Sequence, residues 1–489
     1  MSGSRGNSCY PSVIVVWMHF LFLSRAPRTS RAFLLSSIRP ATRPAAIFGG
    51  MIETSSSYHT ASYFPSSSSP LATKLDLSST SSTSSSEHND IMSTATSPSD
   101  QHQEMSESSK PILAKKIPIH ELEACGKRLR EGHLVSFPTE TVYGLGCHAM
   151  DETAVGRCFA AKERPLTDPL IVHVTQQDQA FQLWNANETS NERLALQALC
   201  DEFWPGPLTI VAQAKPTVPP IVMANTGFVA CRSPSHPIAR TLIDHAKVPI
   251  AAPSANKFGH ISPTRAQHVW DDLLHEDVWI VDDTTATSSG TDEHLEDQVC
   301  NVGVESSVCK VSADGNITLL RQGAVSVQDI QACLEKANLS EHFRVNTQTK
   351  KTTEDHVATV APGQTIRHYS PDVPSFMLSE SKYGSSVPLS PQETDLLSRT
   401  VLIDFGGKLS KWKESALAYR DLSASGSSAE AATAVFDTLR WAERVEGASQ
   451  ILFPELLEAP TDALAMALKD RLTRAASGEV IDTLSPSTD

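Results

Sequence analysis

Residues 136–146 read SFPTETVYGLG, and the folding of the surrounding chain can be worked out from this stretch. It begins as a short apolar strand, which is predicted to end at Pro138. Two hydroxyls then flank the carboxylate of Glu140, and an aromatic residue and two glycines follow. Such residues at the end of a strand are suited to binding a ligand, but a solvated turn would use the same residue types. The neighbouring segments have to decide between these two interpretations.

Apolar runs of strand length recur after this stretch. They read LIVHV (170–174), LTIVAQA (208–214), FVACR (228–232), VPIAAP (248–253), VWIVDD (278–283) and SSVCKV (306–311). Helical patterns lie between them, at 153–162 and at 262–276, where Ser262 is predicted to cap the helix. This mixture predicts an α/β or α+β domain whose sheet is too apolar to face solvent on both sides.

A second, smaller α/β domain is predicted behind a polar linker. The run TVLIDF (400–405) is typical of a buried strand, and Ser427 with Glu430 predicts a capping box before a helix. A last helix is predicted over 462–476, ended by Gly478. The predicted organisation is a disordered tail over 1–110, a first domain over 111–345, a linker over 346–375 and the second domain over 376–489.

The front of the chain has the composition of a tail. Serine dominates residues 54–109, which hold too little apolar surface to offset chain entropy. The first fifty residues contain six arginines and no acid, as a mitochondrial presequence does. A secretory signal built on the apolar run 13–23 and an untargeted extension are the alternatives, and Met51 is a candidate internal start. That run is shorter than the roughly 20 residues of a membrane span, so no membrane association is expected.

Composition excludes several classes of protein. The 489 residues carry 41 Lys and Arg against 56 Asp and Glu, a net charge of −15, which excludes a broadly cationic nucleic-acid surface. The nine cysteines form no C-x-x-C pair, so a zinc ribbon and a thioredoxin site are not expected and a reducing compartment is favoured. The common phosphate loops, nucleophile elbow and zinc-protease motifs are absent.

Candidate ligand-binding residues lie at the ends of several predicted strands and helices. Lys162 and Arg164 end a helix, where they either complement the helix dipole or grip a polyphosphate. Arg232 follows an apolar strand and is suited to a carboxylate, or to a surface salt bridge. Ser254 and Asn256 precede the predicted helix start at Ser262, whose backbone N–H groups would attract an anion. Each motif alone is weak.

Together these motifs resemble the threonylcarbamoyl-AMP synthases with a YrdC-type catalytic domain. SFPTETVYGLG, K-x-RP…PLIVH, FWPGPLT, APSAN…SPT and GVESSV follow one another in the order of that family. APGQTIRHYSP (361–371) resembles the linker of its longer, two-domain branch, and the resemblance covers roughly 112–481. It implies a twisted mixed sheet with flanking helices, followed by a smaller C-terminal Rossmann-like α/β domain.

The resemblance also implies an activity. L-threonine, bicarbonate or CO₂, and ATP would give threonylcarbamoyl-adenylate and pyrophosphate, with Mg²⁺ accompanying ATP. A downstream tRNA threonylcarbamoyl transferase would then modify the adenosine beside the anticodon, so no autonomous tRNA binding is expected. A cytoplasmic or mitochondrial location, or both, would follow.

Site residues carry over position by position. The resemblance assigns the phosphates and catalysis to Lys162, Arg164, Ser254 and Asn256. Further ATP contacts are implied for Asp168, Ser262 and Arg321. Binding of L-threonine is implied for Thr141, His173, Arg232, Ala252 and Ser306, with Arg232 on its carboxylate. His173 is also explained as a core histidine of a strand.

This chain departs from the family pattern at several positions. Asp168 replaces a usual Asn, which places an acid near a triphosphate unless it helps to hold Mg²⁺. Ser307 replaces Thr, residues 364–366 lack the aromatic that closes over ATP, and 284–298 is predicted to be an acidic surface insertion. An RNA-binding or scaffolding protein with degenerate catalysis is therefore the alternative function. A carbamoyl-transfer relative from hydrogenase maturation would need an acylphosphatase segment and zinc-type cysteine pairs, which the tail lacks.

Overall fold

The structure is a computed structural model that describes residues 111–282, 300–348, 358–362, 368–456 and 462–484. The tail, the presequence, the acidic insertion and the substituted linker residues 364–366 lie outside the described residues. No helix of the described part is long and apolar enough to cross a membrane.

A mixed sheet forms the first part of the described chain. Its strands, in chain order, are β1 Lys115–Pro118, β2 Leu134–Phe137, β3 Gly144–His148, β4 Ile171–His173, β5 Leu208–Gln213, β6 Phe228–Arg232, β7 Ile250–Ala251, β8 Val278–Asp282, β9 Ser307–Ser312, β10 Asn316–Arg321 and β11 Arg344–Thr347. Within the described residues the spatial order is β1-β8-β2-β3-β7-β4-β6-β5-β9-β10-β11. The sheet contains parallel pairs such as β4–β6 and antiparallel pairs such as β3–β7.

Helices cover both faces of this sheet. They are α1 Leu122–Arg130, α2 Glu152–Lys162, α3 Gln177–Phe181, α4 Asn191–Phe203, α5 Pro237–Ala246, α6 Ala266–Leu273 and α7 Val327–Lys336. Helices α1 and α5 pack with Phe137 and Ile250 in one apolar cluster, whereas α2, α4 and α7 contribute to a larger cluster. The predicted twisted mixed sheet with flanking helices is confirmed.

A parallel sheet forms the C-terminal domain. Its strands are β12 Ser375–Leu378, β13 Thr400–Asp404, β14 Ala418–Asp421, β15 Gln450–Pro454 and β16 Val480–Ile481, and its helices are α8 Glu380–Tyr383, α9 Pro391–Leu397, α10 Ser428–Glu443 and α11 Ala463–Ala475. The spatial order is β14-β13-β15-β12-β16 with parallel pairing throughout the described strands. This arrangement confirms the predicted Rossmann-like α/β domain.

Two local predictions were wrong in detail. Helix α6 begins at Ala266 with Arg265 as its N-cap, and the hydroxyl of Ser262 donates instead to Glu305. The backbone N–H groups beside Ser262 are therefore not a helix N-terminus. Ser427 does cap α10, but the carboxylate of Glu430 accepts bonds from serines upstream, so the capping box is only half formed.

The core of the C-terminal domain extends into the first part of the chain. Its largest apolar cluster includes Val435, Phe436 and Leu468, together with Val142, Ile261 and Val304 from the first part. Val142 follows Thr141 in the sequence, Ile261 precedes Ser262, and Val304 lies within the GVESSV motif. The second core therefore lies directly behind the predicted site.

Candidate active site

One cleft collects most of the predicted site residues. Eight of them line it: Thr141, Arg164, His173, Arg232, Ala252, Ser254, Ser306 and Arg321. The strand ends bring them together, since β4, β6 and β10 end at His173, Arg232 and Arg321. The other predicted residues do not line the cleft: Lys162, Asp168 and Ser262 bond to lining residues, and Asn256 bonds to Lys162.

Arg232 is held firmly at one side of the cleft. It is opposite His173 in the parallel β4–β6 pair, and it is only 4% exposed. Its Nη1 donates to Thr141 Oγ1 at 2.9 Å, its Nε donates to the carbonyl of Gly206 at 3.3 Å, and its Nη2 lies 2.6 Å from Glu140 Oε1. Burial opposes ionisation of Glu140, but the charge of Arg232 holds the pKa of Glu140 below its usual value. The arginine is thus a fixed cation whose orientation is set before a ligand arrives.

His173 is a neutral group at the same side. Burial, together with the charge of Arg232, lowers the pKa of His173 to about 3. Its Nδ1 lies 3.2 Å from the carbonyl oxygen of Ile171. A neutral imidazole between an arginine and the cleft can take part in hydrogen bonds without adding charge.

Lys162, the last residue of α2, is anchored to the loop after β7. It is fully buried, and its ammonium donates to the carbonyl oxygen of Ser254 at 2.6 Å and to that of Asn256. Asn256 is fixed in turn, since its Nδ2 donates to the carbonyls of Lys257 and His260. Burial and the nearby Arg164 lower the pKa of Lys162 to about 7. An ammonium has three protons, so one more bond can be made to a ligand in the cleft.

Arg164 and Asp168 form a buried ion pair. Arg164 Nη2 lies 2.9 Å from Asp168 Oδ2, and both side chains are 4% exposed. Arg164 also donates to the carbonyls of Asp168 and Pro169. The departure at Asp168 therefore places its carboxylate on an arginine, where it neutralises part of the cation predicted to bind phosphate.

A fourth cation, Arg321, also lines the cleft. Arg321 Nε donates to the carbonyl of Ser306 at 3.0 Å, and its Nη2 donates to Ser306 Oγ at 3.1 Å. Ser306 Oγ also lies 2.8 Å from Thr209 Oγ1, so a hydroxyl pair and a guanidinium share one corner. Burial lowers the pKa of Arg321 from its usual value.

Several residues around the cleft were not assigned a role from the sequence. Glu305 lines it, receives a 2.5 Å hydrogen bond from Ser262 Oγ and lies 2.8 Å from Arg471 Nε of α11. Glu140 was noticed only as an acid between two hydroxyls. Composition carries no signal for the Glu305–Arg471 pair, because the two residues are 166 positions apart.

Residues 368 and 369 of the predicted linker line the cleft. His368 and Tyr369 are buried, their ring centroids lie 4.1 Å apart, and Tyr369 has a φ of 63°. Burial, with Arg474 and Arg164 nearby, holds the pKa of His368 well below its usual value, so its ring is neutral. The predicted linker thus supplies two aromatic residues to the lining.

An α/β fold with a cluster of buried Lys and Arg side chains at one cleft is typical of proteins that bind small polyanions. A buried charge is costly unless it is compensated, so such a cluster is retained where a ligand uses it. The cleft also offers hydroxyls and neutral imidazoles beside these cations.

The chain belongs to the threonylcarbamoyl-AMP synthase family. The family profile described as "Telomere recombination" matches residues 127–323, and the one described as "Threonylcarbamoyl-AMP synthase, C-terminal domain" matches 325–477. A threonylcarbamoyl-AMP synthase of Pseudoalteromonas atlantica is 32% identical over 28% of this chain and 72% of that relative. The one of Pyrococcus abyssi is 38% identical over 50% of this chain, but the match spans only 63% of that relative.

A solved structure extends the likeness to both sheets. The crystal structure of Pyrococcus abyssi Sua5 complexed with L-threonine is 29% identical, with a TM-score of 0.59, over 75% of this chain and 98% of that chain. The two chains are therefore similar in amino-acid sequence as well as in fold.

The carboxylates in and behind the cleft lining are paired with arginines. Glu140, Asp168 and Glu305 each lie within 3 Å of an arginine nitrogen. The described residues contain one group of metal-ligand type, His260, Asp372 and Glu443, and none of these lines the cleft. Burial opposes protonation of His260, but hydrogen bonds with Asp272 and Glu443 raise its pKa to about 9. A protonated imidazole at this position joins the two carboxylates as an ion pair.

Proposed function

We propose that the chain synthesises L-threonylcarbamoyladenylate from L-threonine, bicarbonate or CO₂, and ATP, with release of pyrophosphate. The single observation that carries the proposal is that Arg164, Arg232 and Arg321 line one cleft, with Lys162 bonded to the lining residue Ser254, in a chain that belongs to the synthase family. Arg232 is proposed for the substrate that has a carboxylate, and Lys162 with Arg164 for the substrate that has phosphates.

L-threonine is proposed to bind at the Arg232 side. The guanidinium would hold the carboxylate, while the hydroxyls of Thr141 and Ser306, the carbonyl of Ala252 and the ring of His173 would surround the amine and side chain. The homologous Sua5 of Pyrococcus abyssi was crystallised as a complex with L-threonine, which supports this ligand for the cleft. A neutral His173 suits this role, because a second positive charge would repel the substrate amine.

ATP is proposed to bind at the Lys162 side. Lys162, Arg164, Ser254 and Asn256 would fix the phosphates, with Ser262 and Arg321 as further contacts. The amine of threonine adds to CO₂ and loses a proton, giving a carbamate. A carbamate oxygen then attacks the α-phosphorus, and the bond to the β-phosphate oxygen breaks to release pyrophosphate. No protein nucleophile is needed, so positioning and charge stabilisation would supply the catalysis.

Mg²⁺ is proposed to arrive with the nucleotide as MgATP. Triphosphate oxygens and waters are sufficient ligands for Mg²⁺, which rarely needs an all-protein cage. The commitment of Asp168 to Arg164 argues against the direct metal contact considered from the sequence.

The product would serve a downstream tRNA threonylcarbamoyl transferase. An adenylate of this kind is an activated acyl donor, and the transferase would pass the threonylcarbamoyl group to the adenosine beside the anticodon.

The proposed location is the cytoplasm, the mitochondrion or both. A fluorescent fusion of residues 1–50 tests targeting, and a diffuse cytosolic signal would count against a presequence.

The activity is tested with the full chain, MgATP, bicarbonate and L-threonine, by following pyrophosphate. Release should depend on threonine and on bicarbonate, and Arg232→Ala should abolish most of it. Pyrophosphate release that ignores threonine would reject the synthase proposal. RNA binding by a protein that releases no pyrophosphate would favour the alternative of a binding or scaffolding role.

A further inference from the structure

One buried arginine of the C-terminal domain is bonded to two segments that carry residues of the cleft lining. Arg471 lies on α11, and its side chain is 0% exposed. Its Nε lies 2.8 Å from Glu305 Oε2, and its Nη2 donates to the carbonyls of Gln322 at 2.9 Å and Glu305 at 3.4 Å. A single side chain from the second domain is thus bonded to two segments of the first.

Both of these segments carry predicted substrate contacts. Glu305 precedes Ser306, and Gln322 follows Arg321, while Arg321 itself donates to Ser306. The second oxygen of Glu305 accepts the hydrogen bond of Ser262 at 2.5 Å. Arg471 does not line the cleft itself. Through its bonds to Glu305 and Gln322 it is linked to three predicted substrate contacts, Ser262, Ser306 and Arg321.

The charge of Glu305 depends on this arginine. Burial opposes ionisation of Glu305, but Arg471 and then Arg321 hold its pKa below the usual value. An ionised Glu305 can only accept hydrogen bonds, so it fixes the direction of the Ser262 hydroxyl. A neutral carboxyl could donate instead and would release that constraint.

Stability alone is a poor explanation for this pair. A buried ion pair contributes little net stability compared with apolar residues of the same volume. The surrounding core of Val435, Phe436 and Leu468 is apolar and would accept such residues. Arg471 Nη1 also lies 2.9 Å from Asp470 Oδ2, which offsets the charge but makes no contact with the cleft.

We propose that Arg471 is a positioning residue of the active site, supplied by the C-terminal domain. It acts through Glu305 on Ser262 and, through the backbone on either side, on Ser306 and Arg321. The proposal rests on the proposed function, because those three residues are assigned to ATP and L-threonine by it. It also gives the C-terminal domain a role in the chemistry of the first domain.

The test compares Arg471→Met and Arg471→Lys with Arg474→Met in the full chain. Arg474 is a matched control, because it lies on the same helix, is 5% exposed and pairs with the same Asp470. Dissociation constants for MgATP and L-threonine are measured by calorimetry, beside the melting temperature. Loss of a charged hydrogen-bond partner predicts binding about tenfold weaker in Arg471→Met, partial recovery in Arg471→Lys and little change in Arg474→Met.

A double variant separates positioning from folding. Removing one partner leaves a buried charge, whereas Arg471→Met with Glu305→Gln removes both and should fold. If Arg471 acts in part through Glu305, the loss of affinity in the double variant is smaller than the product of the losses in the two single variants. Losses that multiply, or a lower melting temperature with unchanged dissociation constants, would overturn the proposal. Wild-type protein that binds neither substrate would instead reject the proposed function itself.

Discussion

Arg232 lines the cleft and Lys162 lies behind its lining, and each is fixed by bonds to the protein before any ligand is present. Arg232 bonds to Thr141 and Gly206 and pairs with Glu140. Lys162 bonds to carbonyls of the loop after β7. A cation that is already fixed loses little conformational entropy when a ligand binds. Because the two residues are assigned to different substrates, we expect each to affect the binding of one substrate.

The separation predicts opposite effects of two alanine variants. Arg232→Ala should weaken L-threonine binding about tenfold or more and ATP binding much less, since a charged hydrogen bond contributes about 1.5–3 kcal/mol. Lys162→Ala should do the reverse. Calorimetric titration of each variant with each substrate checks this, and equal losses of both substrates would show that the roles are assigned wrongly.

Lys162 also predicts a pH dependence. Its pKa is lowered to about 7 by burial and Arg164, so above that pH the unliganded side chain is mostly neutral. Phosphate favours the ammonium, and ATP binding must therefore take up a proton. The affinity for ATP should fall as the pH rises from about 7.5 to 9, by at most about tenfold per pH unit.

Calorimetry in buffers of different ionisation enthalpy measures that proton uptake. Lys162→Arg keeps the charge without titrating in this range, so its profile should be flat. An affinity of the unaltered protein that does not change with pH, with no proton uptake, would contradict the assignment.

Asp168 predicts a gain of function. Its carboxylate pairs with Arg164, but Arg164 is also held by two backbone carbonyls. Asp168→Asn should leave the guanidinium in place and remove a negative charge, so ATP should bind about fivefold more tightly, which corresponds to roughly 1 kcal/mol. The prediction is checked by measuring the dissociation constant for ATP in Asp168→Asn and in the unaltered protein. Weaker binding would mean that the ion pair itself positions Arg164.

At the scale of elements, the GVESSV loop is pressed against α10. Gly303 has a φ of 72°, and a Cβ there would meet the backbone of Thr433 and Ala432 on that helix. Gly303→Ala should therefore lower the free energy of unfolding by about 2–4 kcal/mol, from overpacking together with strain at positive φ. It should also weaken both substrates, because Ser306 follows in the same loop.

Gly227 is the matched control for this prediction. It has a φ of 77°, but a Cβ there would meet nothing within 4 Å. Gly227→Ala should incur only the backbone strain, of about 1 kcal/mol. Denaturant unfolding compares the two variants, and equal destabilisation would mean that the contact with α10 is unimportant.

Some elements could be predicted from the sequence and others could not. Strand β6 was predicted with the observed bounds, because an apolar run between turn residues has little alternative. Strand β3 was missed, since its glycines resemble a turn. Gly146 is required there because a Cβ would lie 2.8 Å from Phe137. Ser262 was predicted as a cap, but its tertiary bond to Glu305 outweighs the local preference.

At the scale of the whole molecule, the predicted site residues came from motifs, and their arrangement came from the fold. The cations of the cleft could be found because each follows a strand or helix end. Glu305 and Arg471 could not be paired, because only the shared core between the two sheets brings α11 to the GVESSV loop. The net charge of −15 describes the molecule as a whole, whereas the cleft is locally cationic.

The central claim concerns the product, so the most direct measurement identifies it. The full chain is incubated with MgATP, ¹³C-bicarbonate and ¹⁵N-L-threonine, and the quenched mixture is analysed by mass spectrometry. The account predicts an adenylate that carries both isotopes, formed together with pyrophosphate and lost in Arg232→Ala. Pyrophosphate with no doubly labelled adenylate, or no turnover by folded protein, would contradict it.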